Sequence, residues 1–538
     1  MKTLKKNCKS LSLHSAAIMR LLIFSVVLFL SAEISSQTAS GIVFRDSNQN
    51  GKRDQGEKGI ANVGVSNGVA VVLTDGKGRY TIDAPDQSVI FIIKPADYRS
   101  PVNEMNLPLF YYKHFPQGSP PMKYAGIHPT GSLPGSIDFP LIPEDKVDVF
   151  RVVIFGDTQV RNLDEIEYLG NDIVAELAGS SSFVFGSVLG DLVFDDLSLY
   201  KPLNQLMSAL KVPMYNVPGN HDENYEAASD HTANETFQDT YGPKTYSFNY
   251  GEVHFIVLDN IIYSGDSVKK SYEEGFGEDV IQYVKNDLKY VPSGKLIVLM
   301  MHAPFLNSGT GEPIRNLDQI LAELSAFPHS FSISGHDHAI SQQLITGKYG
   351  WKRESPHHHF CTGAACGNWW QGALDISGLP DATMHDGSPN GYSLVNFSGN
   401  TYTVDYQVAR KPVDYTMAIY TTVLPSENPE KVIPGEVIVN FFTGSEKDEI
   451  RVRFDDGEWK KMSHEFIPDP GFVRQRKLWE DPAVKMEGKM PSRPGNSKHI
   501  WKANIPGDLN QGLHKIEVEA TDLFGRSHRA FHYFNAGY

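Results

Sequence analysis

Residues 151–160 read RVVIFGDTQV, an apolar strand-forming run that stops at a polar turn. Four later stretches repeat this arrangement with helical stretches between them, which is typical of an α/β domain and predicts one over residues 146–408. The helical spacing is clear over 163–177, where apolar residues recur every three or four positions. The apolar runs lead into these polar residues: Asp157 and Gln159; Asp191; Asn220, His221 and Asp222; His302; His336 and His338.

The polar residues share one position, the end of a strand. In open α/β sheets, ligands gather beyond the carboxyl ends of the strands, so we expect these side chains to converge. Carboxylate, amide and imidazole groups together suit divalent Zn, Mn or Fe. A single Asn-His pair, or one His after a strand, is more often a turn or a satisfied core group. Five such clusters in a row favour a metal site.

The order D-x-Q, GD, GNHD, H and GHxH resembles that of the calcineurin-like metallophosphoesterases, over about residues 150–400. The resemblance implies a sandwich of two β-sheets flanked by helices, with two divalent metal ions (Mn, Fe or Zn). It also implies that His221 stabilises charge on the phosphate or protonates the leaving oxygen, with Asp222 orienting the ring. One ion would be held by Asp157, Gln159, Asp191 and His338, and the second by Asp191, Asn220, His302 and His336.

The resemblance also implies a reaction. A hydroxide that bridges the two ions would attack a phosphate ester, and Asp191 would bridge the ions as a ligand to both. Many members of the family have His where this chain has Gln159, and the neutral amide is a weaker ligand. An alternative is a cell-envelope binding protein whose phosphoesterase-like core is inactive. The sequence does not separate phosphomonoesters from phosphodiesters as substrates.

The regions on either side of the α/β domain are predicted to be rich in β-strands. Residues 38–145 contain short β-branched runs divided by turns, which predicts an N-terminal β-sandwich. Strand patterns return over 409–538, which predicts a C-terminal β-rich domain.

A possible calcium loop lies at the start of the N-terminal region. Residues 46–57 read DSNQNGKRDQGE and match the spacing of an EF-hand loop, with Gly51 at the sharp turn. A turn stabilised by its own Asx hydrogen bonds explains the pattern equally well. The candidate ligands are Asp46, Asn48, Asn50, Asp54 and Glu57.

Two aromatic or imidazole-rich stretches follow the last metal-binding motif. Trp369 and Trp370, with Asn390 further on, could line a substrate pocket, and packing in the core is the equal alternative for the tryptophans. Residues 357–359 are three consecutive histidines. Successive side chains of a strand point to opposite faces, so a shared metal site is not expected there.

Composition and charge exclude several classes of protein. The 538 residues predict several domains. The formal net charge of −15 argues against general nucleic-acid binding, which needs a basic face. Three cysteines cannot build a disulfide scaffold, and whether Cys361 and Cys366 pair stays open.

The N-terminus resembles a secretory signal peptide. An apolar run at 21–32 follows several lysines and Arg20, and small polar residues come after it. This run is too short to span a bilayer, so no membrane span is expected. We therefore predict that residues 1–36 are a signal peptide and that the protein is exported, to the periplasm, cell surface or medium. The sequence leaves the oligomeric state open.

Overall fold

The structure is a computed structural model, and it describes residues 37–180, 182–265, 271–424 and 433–536. The predicted signal peptide, 1–36, lies outside these residues. Within them, no helix has both the length and the apolar character needed to cross a membrane.

Eight strands precede the α/β region and form two four-stranded sheets. The sheet orders are β4-β1-β8-β6 and β3-β2-β5-β7. The second sheet is antiparallel throughout, and the first contains one parallel pair, β1 with β8. The strands are β1 Thr38–Arg45, β2 Gly64–Ser66, β3 Val71–Leu73, β4 Arg79–Asp83, β5 Ser88–Ile93, β6 Tyr98–Arg99, β7 Tyr111–His114 and β8 Phe139–Pro143.

The central region is a sandwich of a four-stranded and a six-stranded sheet, ordered β10-β9-β20-β21 and β11-β12-β15-β16-β18-β17, with a hairpin β13-β14. Its strands are β9 Val149–Phe155, β10 Gly186–Val188, β11 Tyr246–Tyr250, β12 Val253–Leu258, β13 Ile261–Tyr263, β14 Tyr272–Glu274, β15 Leu296–Met301, β16 His329–Ser334, β17 Ser341–Ile345, β18 His357–Cys361, β19 Gly372–Ala373, β20 Gly391–Ser398 and β21 Thr401–Val408. Its helices are α1 Leu163–Leu169, α2 Ala175–Leu177, α3 Tyr200–Met207, α4 Asp230–Ala233, α5 Glu235–Tyr241, α6 Glu278–Leu288 and α7 Leu317–Leu324.

The apolar runs of the sequence become the buried strands of this sandwich. Strand β15, LIVLMM, has all six side chains buried and pairs in parallel with β12 on one side and β16 on the other. A strand with parallel neighbours is covered on both faces, which explains why its sequence is continuously apolar. Helix α1 begins where the Asn162 side chain accepts a hydrogen bond from the Glu165 N–H at 3.0 Å, a standard N-cap.

The C-terminal region is a second β-sandwich with one helix. Its sheets are ordered β22-β23-β28-β26 and β25-β24-β29-β30, and β27 pairs with β19 of the central region. The elements are β22 Met417–Leu424, β23 Ile433–Phe441, β24 Glu449–Phe454, β25 Lys460–Lys461, β26 Ser463–Pro468, α8 Pro470–Glu480, β27 Gly488–Lys489, β28 Asn496–Asn504, β29 Gly512–Thr521 and β30 Ser527–Ala536. The whole arrangement confirms the predicted fold class.

The N-terminal and central regions share one hydrophobic core, which Phe442 of the C-terminal region also joins, and the C-terminal sandwich has a second core of its own. The Phe91 ring of β5 lies 5.9 Å from the Tyr283 ring of α6, and the Phe110 ring lies 5.2 Å from the Tyr246 ring of β11. The first two regions therefore pack as one body.

Candidate metal centre

The predicted ligands meet where the two central sheets end at a common edge. His302 follows β15 of one sheet, and its Nδ1 donates a hydrogen bond at 2.8 Å to the Leu189 carbonyl, just beyond β10 of the other. This bond joins the two edges. Six of the seven predicted ligands are buried, and the seventh, His336, is partly buried.

Asp191, His302 and His336 form the tightest part of the cluster. One ligand atom of each lies within 4.8 Å of the others, close enough to hold a common cation. His302 Nε2 is 3.2 Å from Asp191 Oδ1 and 3.1 Å from the amide oxygen of Asn220. His336 Nδ1 is 3.0 Å from the same nitrogen. Carboxylate, amide oxygen and two imidazole nitrogens therefore face one point.

Asp157, Gln159 and His338 lie on the other side of Asp191. Within the described part of the chain, the buried Oδ1 of Asp157 accepts no hydrogen bond, and it lies 3.8 Å from His338 Nε2. A buried carboxylate oxygen without a donor is costly unless a cation compensates it, so this donor set fits a metal ion. The Gln159 amide donates to Asp191 Oδ2 at 2.8 Å, and a ligand role would require its amide to flip.

The histidine rings are held from outside the cluster. His338 Nδ1 donates to the Gly367 carbonyl at 2.6 Å, and His302 is held by Leu189 in the same way, so each Nε2 faces inward. His336 is reversed, with Nδ1 facing inward and Nε2 contacting Glu274 Oε1 at 3.2 Å. Such outer partners orient metal-binding imidazoles and raise their basicity. No motif in the sequence pointed to Glu274, which comes from the hairpin strand β14.

Five of the seven predicted ligands have a left-handed backbone. Their φ angles are between 23° and 75°, a region that non-glycine residues rarely adopt and that costs about 1–3 kcal/mol per residue. Strain of this kind clusters at functional sites, where it aims side chains into the site. The five residues are Asp157, Gln159, Asp191, His336 and His338.

Burial and mutual charge shift the pKa values of the cluster in opposite directions. The pKa of Asp157 rises to about 7, chiefly because the carboxyl is buried; the His302 charge lowers this pKa and the Asp191 charge raises it. Burial opposes protonation of His302, but Asp191 raises its pKa to about 10. Burial lowers the pKa of His338 to about 3, so its ring is neutral and can act as a ligand.

His221 lies at the margin of the cluster and is oriented by Asp195. Its Nδ1 is 2.6 Å from Asp195 Oδ1, its ring stacks on Phe194, and its backbone N–H donates to Asp191 Oδ1 at 2.9 Å. Burial lowers the pKa of His221, but the two carboxylates outweigh it and raise the pKa above the usual value. The ring can therefore carry a proton near neutral pH.

The predicted role of Asp222 as the residue that orients His221 is wrong. Asp222 instead accepts hydrogen bonds from the backbone N–H groups of Gly219 and Leu192 and from the Tyr200 hydroxyl, at 2.9–3.2 Å. Asp222 therefore fixes the turn that carries the GNHD motif, because its carboxylate bonds to the turn's own backbone.

The three residues predicted to line a substrate pocket have different positions. The Trp369 ring stacks on His338, with centroids 4.6 Å apart, so Trp369 borders the cluster. Trp370 is a core residue whose indole N–H donates to the Thr158 carbonyl at 3.0 Å. Placing Asn390 in the pocket is wrong, since its buried amide donates to Asp172 and to the Ala365 carbonyl instead.

Two of the consecutive histidines, His357 and His359, are buried core residues, and His358 is partly buried. His357 and His359 bond to serine hydroxyls of the adjacent strand β16, and His358 bonds to Gln342 and Tyr402. Cys361 and Cys366 are buried, unpaired thiols.

The candidate calcium loop closes on itself through hydrogen bonds. Asp54 Oδ2 accepts from the side chains of Asn48 and Asn50 at 2.7 and 2.8 Å, and Asp46 accepts from the Gly51 N–H at 2.9 Å. The Glu57 carboxylate accepts the Ser47 N–H at 2.8 Å and the Asp54 N–H at 3.0 Å. These bonds describe a turn held by its own Asx groups, and calcium binding at the loop stays a prediction.

Comparisons with known proteins identify the family. A family model for calcineurin-like phosphoesterase matches residues 150–339, and models for the N-terminal and C-terminal parts of calcineurin-like phosphoesterase match 47–124 and 359–528. The chain therefore belongs to the calcineurin-like phosphoesterases. Members of this family are metal-dependent, and the protein is a hydrolase acting on phosphate esters.

Similarity to individual proteins is low. Purple acid phosphatase PPD1 from seeds of yellow lupin (Lupinus luteus) is 11% identical, with a TM-score of 0.35 over 69% of this chain and 66% of the lupin enzyme. TT1561 of Thermus thermophilus is 12% identical, with a TM-score of 0.27 over 48% of this chain and 99% of that protein. No curated protein matches the chain.

Proposed function

We propose that this protein is a phosphoesterase that works with two divalent cations. Asp157, Gln159 and His338 would hold one, Asn220, His302 and His336 the other, and Asp191 both. The observation that carries the proposal is the convergence of these side chains around two buried carboxylates, one of which has an oxygen without a donor. Two bound cations would lower the pKa of a water to give the attacking hydroxide and would neutralise the phosphoryl oxygens.

We propose that His221 donates a proton to the leaving oxygen of the ester. Its Nδ1 side is occupied by Asp195 at 2.6 Å, and its Nε2 lies 3.9 Å from Asp191 Oδ2, at the edge of the centre. A ring in this position can hold a proton on Nε2 and pass it to the departing oxygen of the ester. Poor leaving groups depend most on this proton.

The test combines metal content and turnover in one preparation. Bound metals are measured by elemental analysis, and hydrolysis of nitrophenyl phosphate and of bis(nitrophenyl) phosphate is followed with and without added Mn²⁺. We expect about two ions per chain and turnover of at least one ester. Ions without turnover of either ester would favour the binding-protein alternative. No bound ion under any supplement would refute the proposal.

A variant of the bridging residue sharpens this test. Asp191→Asn removes the charge shared by the two proposed ion positions and should lose most of the metal and the activity. The matched control is Asp75→Asn, because Asp75 caps a turn of the N-terminal region through bonds of 2.8 and 2.9 Å to backbone N–H groups. Full metal occupancy with unchanged turnover in Asp191→Asn would contradict the assignment.

A further inference from the structure

A buried chain of polar side chains links the C-terminal sandwich to the loop that carries His336 and His338. It begins at His499 of β28, which is 0% exposed, and Asp386, which is 2% exposed and belongs to the central region. His499 Nε2 lies 3.0 Å from Asp386 Oδ2. This contact between the two regions is closed to water.

Asp386 bonds both to His499 and to the backbone of the loop that carries His336 and His338. Its Oδ2, the oxygen that faces His499, also accepts the backbone N–H of Ile340 at 2.9 Å, and its Oδ1 accepts the Ser388 N–H at 2.9 Å. Ile340 is two residues beyond His338. The carboxylate therefore holds the backbone just after the strained part of the loop, where both histidines have positive φ.

The C-terminal side of the chain fixes how His499 is oriented. Its Nδ1 contacts the amide oxygen of Asn440 at 2.6 Å, and the Asn440 amide nitrogen donates to Asp469 Oδ2 at 2.9 Å. Asp469 Oδ1 accepts the Phe472 N–H at 2.8 Å at the start of α8. Asp469 therefore orients Asn440, and Asn440 orients His499. The His499 ring cannot rotate without breaking these hydrogen bonds.

A second contact between the two regions lies next to Trp369, the residue that stacks on His338. Asn368 and Ser492 bond to each other twice, through amide nitrogen to hydroxyl at 2.7 Å and through backbone N–H to amide oxygen at 3.0 Å. Strands β19 and β27 pair beside them. Trp369, the next residue, stacks on His338. The C-terminal region therefore supports both the backbone and the ring of one candidate ligand.

We propose that the C-terminal sandwich positions the metal-binding loop through His499 and Asp386, with Asn368 and Ser492 as a second support. His499 acts through Asp386 and contacts no reacting atom, so it is a positioning residue. The kinetic part of this inference rests on the proposed phosphoesterase function, and the metal-affinity part does not depend on turnover.

The experiment compares His499→Gln with His514→Gln in the full-length protein. His514 contacts Asp455 at 2.7 Å in the other sheet of the same sandwich, in a more exposed pair, so it controls for the loss of a His–Asp contact in this sandwich. Mn²⁺ alone is titrated into metal-free protein by calorimetry. Removal of a direct outer partner of a metal ligand typically costs 10- to 100-fold in affinity, and His499 acts one step further out, through Asp386. We therefore expect Mn²⁺ binding to weaken by up to about tenfold, with a similar loss of kcat at low Mn²⁺ and partial rescue of kcat at high Mn²⁺.

Thermal denaturation separates positioning from stability. Unchanged Mn²⁺ affinity and kcat in His499→Gln, with only a lower Tm, would overturn the proposal. If that variant does not fold, Ser492→Ala replaces it, because Ser492 is partly exposed and loses one hydroxyl bond only. We expect a several-fold weaker Mn²⁺ affinity in Ser492→Ala, and wild-type affinity there would overturn the proposal. If the proposed function itself is wrong, the wild-type protein will bind no metal or will not turn over any ester, and this result differs from a defect confined to the variants.

Discussion

Replacing Asp195 tests the proton-donor role of His221. Asp195→Asn keeps the shape of the side chain but removes the charge from its 2.6 Å contact with His221 Nδ1. A hydrogen bond to a charged group contributes about 1.5–3 kcal/mol, and each 1.36 kcal/mol is a factor of ten in rate. We therefore expect kcat to fall about ten- to hundredfold for esters with poor leaving groups, because the variant lowers the pKa of His221 and loosens its ring.

The assay measures kcat over a series of aryl and alkyl phosphates at saturating Mn²⁺. Good leaving groups need little protonation, so nitrophenyl phosphate should lose much less rate than an alkyl phosphate. Asp196→Asn is the control, since Asp196 caps Ser198 at 3.2 Å and does not orient His221. An equal loss for all leaving groups, or no loss for alkyl phosphates, would refute the reasoning.

Three further predictions concern stability and metal affinity. Burial lowers the pKa of Lys94 from 10.5 to about 7. Between these pH values the folded chain binds fewer protons than the unfolded chain, so Lys94 makes the stability rise with pH there. Lys94→Met should therefore flatten that part of a curve of Tm against pH. Glu274→Gln removes the charge beside His336 Nε2 and should weaken Mn²⁺ binding about tenfold in a calorimetric titration, whereas wild-type affinity would exclude an orienting role. Trp370→Ala should cost about 3–5 kcal/mol in a denaturant titration because it empties a buried site, and a loss below about 1 kcal/mol would contradict its place in the core.

The sequence predicted the parts of the site that local patterns encode. An apolar strand followed by a polar turn is visible within ten residues, and His302 and Asp191 were found in this way. The same patterns located the central sandwich and its position between two β-rich regions. Local order is enough here because parallel strands bring the residues at their carboxyl ends to one edge of a sheet.

The missed residues come from contacts between distant segments. Asp195 stands beside Asp196 in the sequence, and no periodicity distinguishes which of the two meets His221. Glu274 is 62 residues before His336, and Asp386 is 113 residues before His499. The prediction for Asp222 is wrong because adjacent side chains at a tight turn point in different directions, so the Asp222 carboxylate meets backbone N–H groups and the His221 ring meets Asp195.

The core shared by the N-terminal and central regions limits the modularity of this protein. Without the N-terminal region, the Tyr283 ring would lose its contact with Phe91 and the Tyr246 ring would lose its contact with Phe110. We therefore expect these two regions to fold and to be transferred as one unit. The C-terminal sandwich has a largely separate core, so a replacement would have to reproduce mainly its contacts with the central region, among them Phe442 and the His499–Asp386 pair.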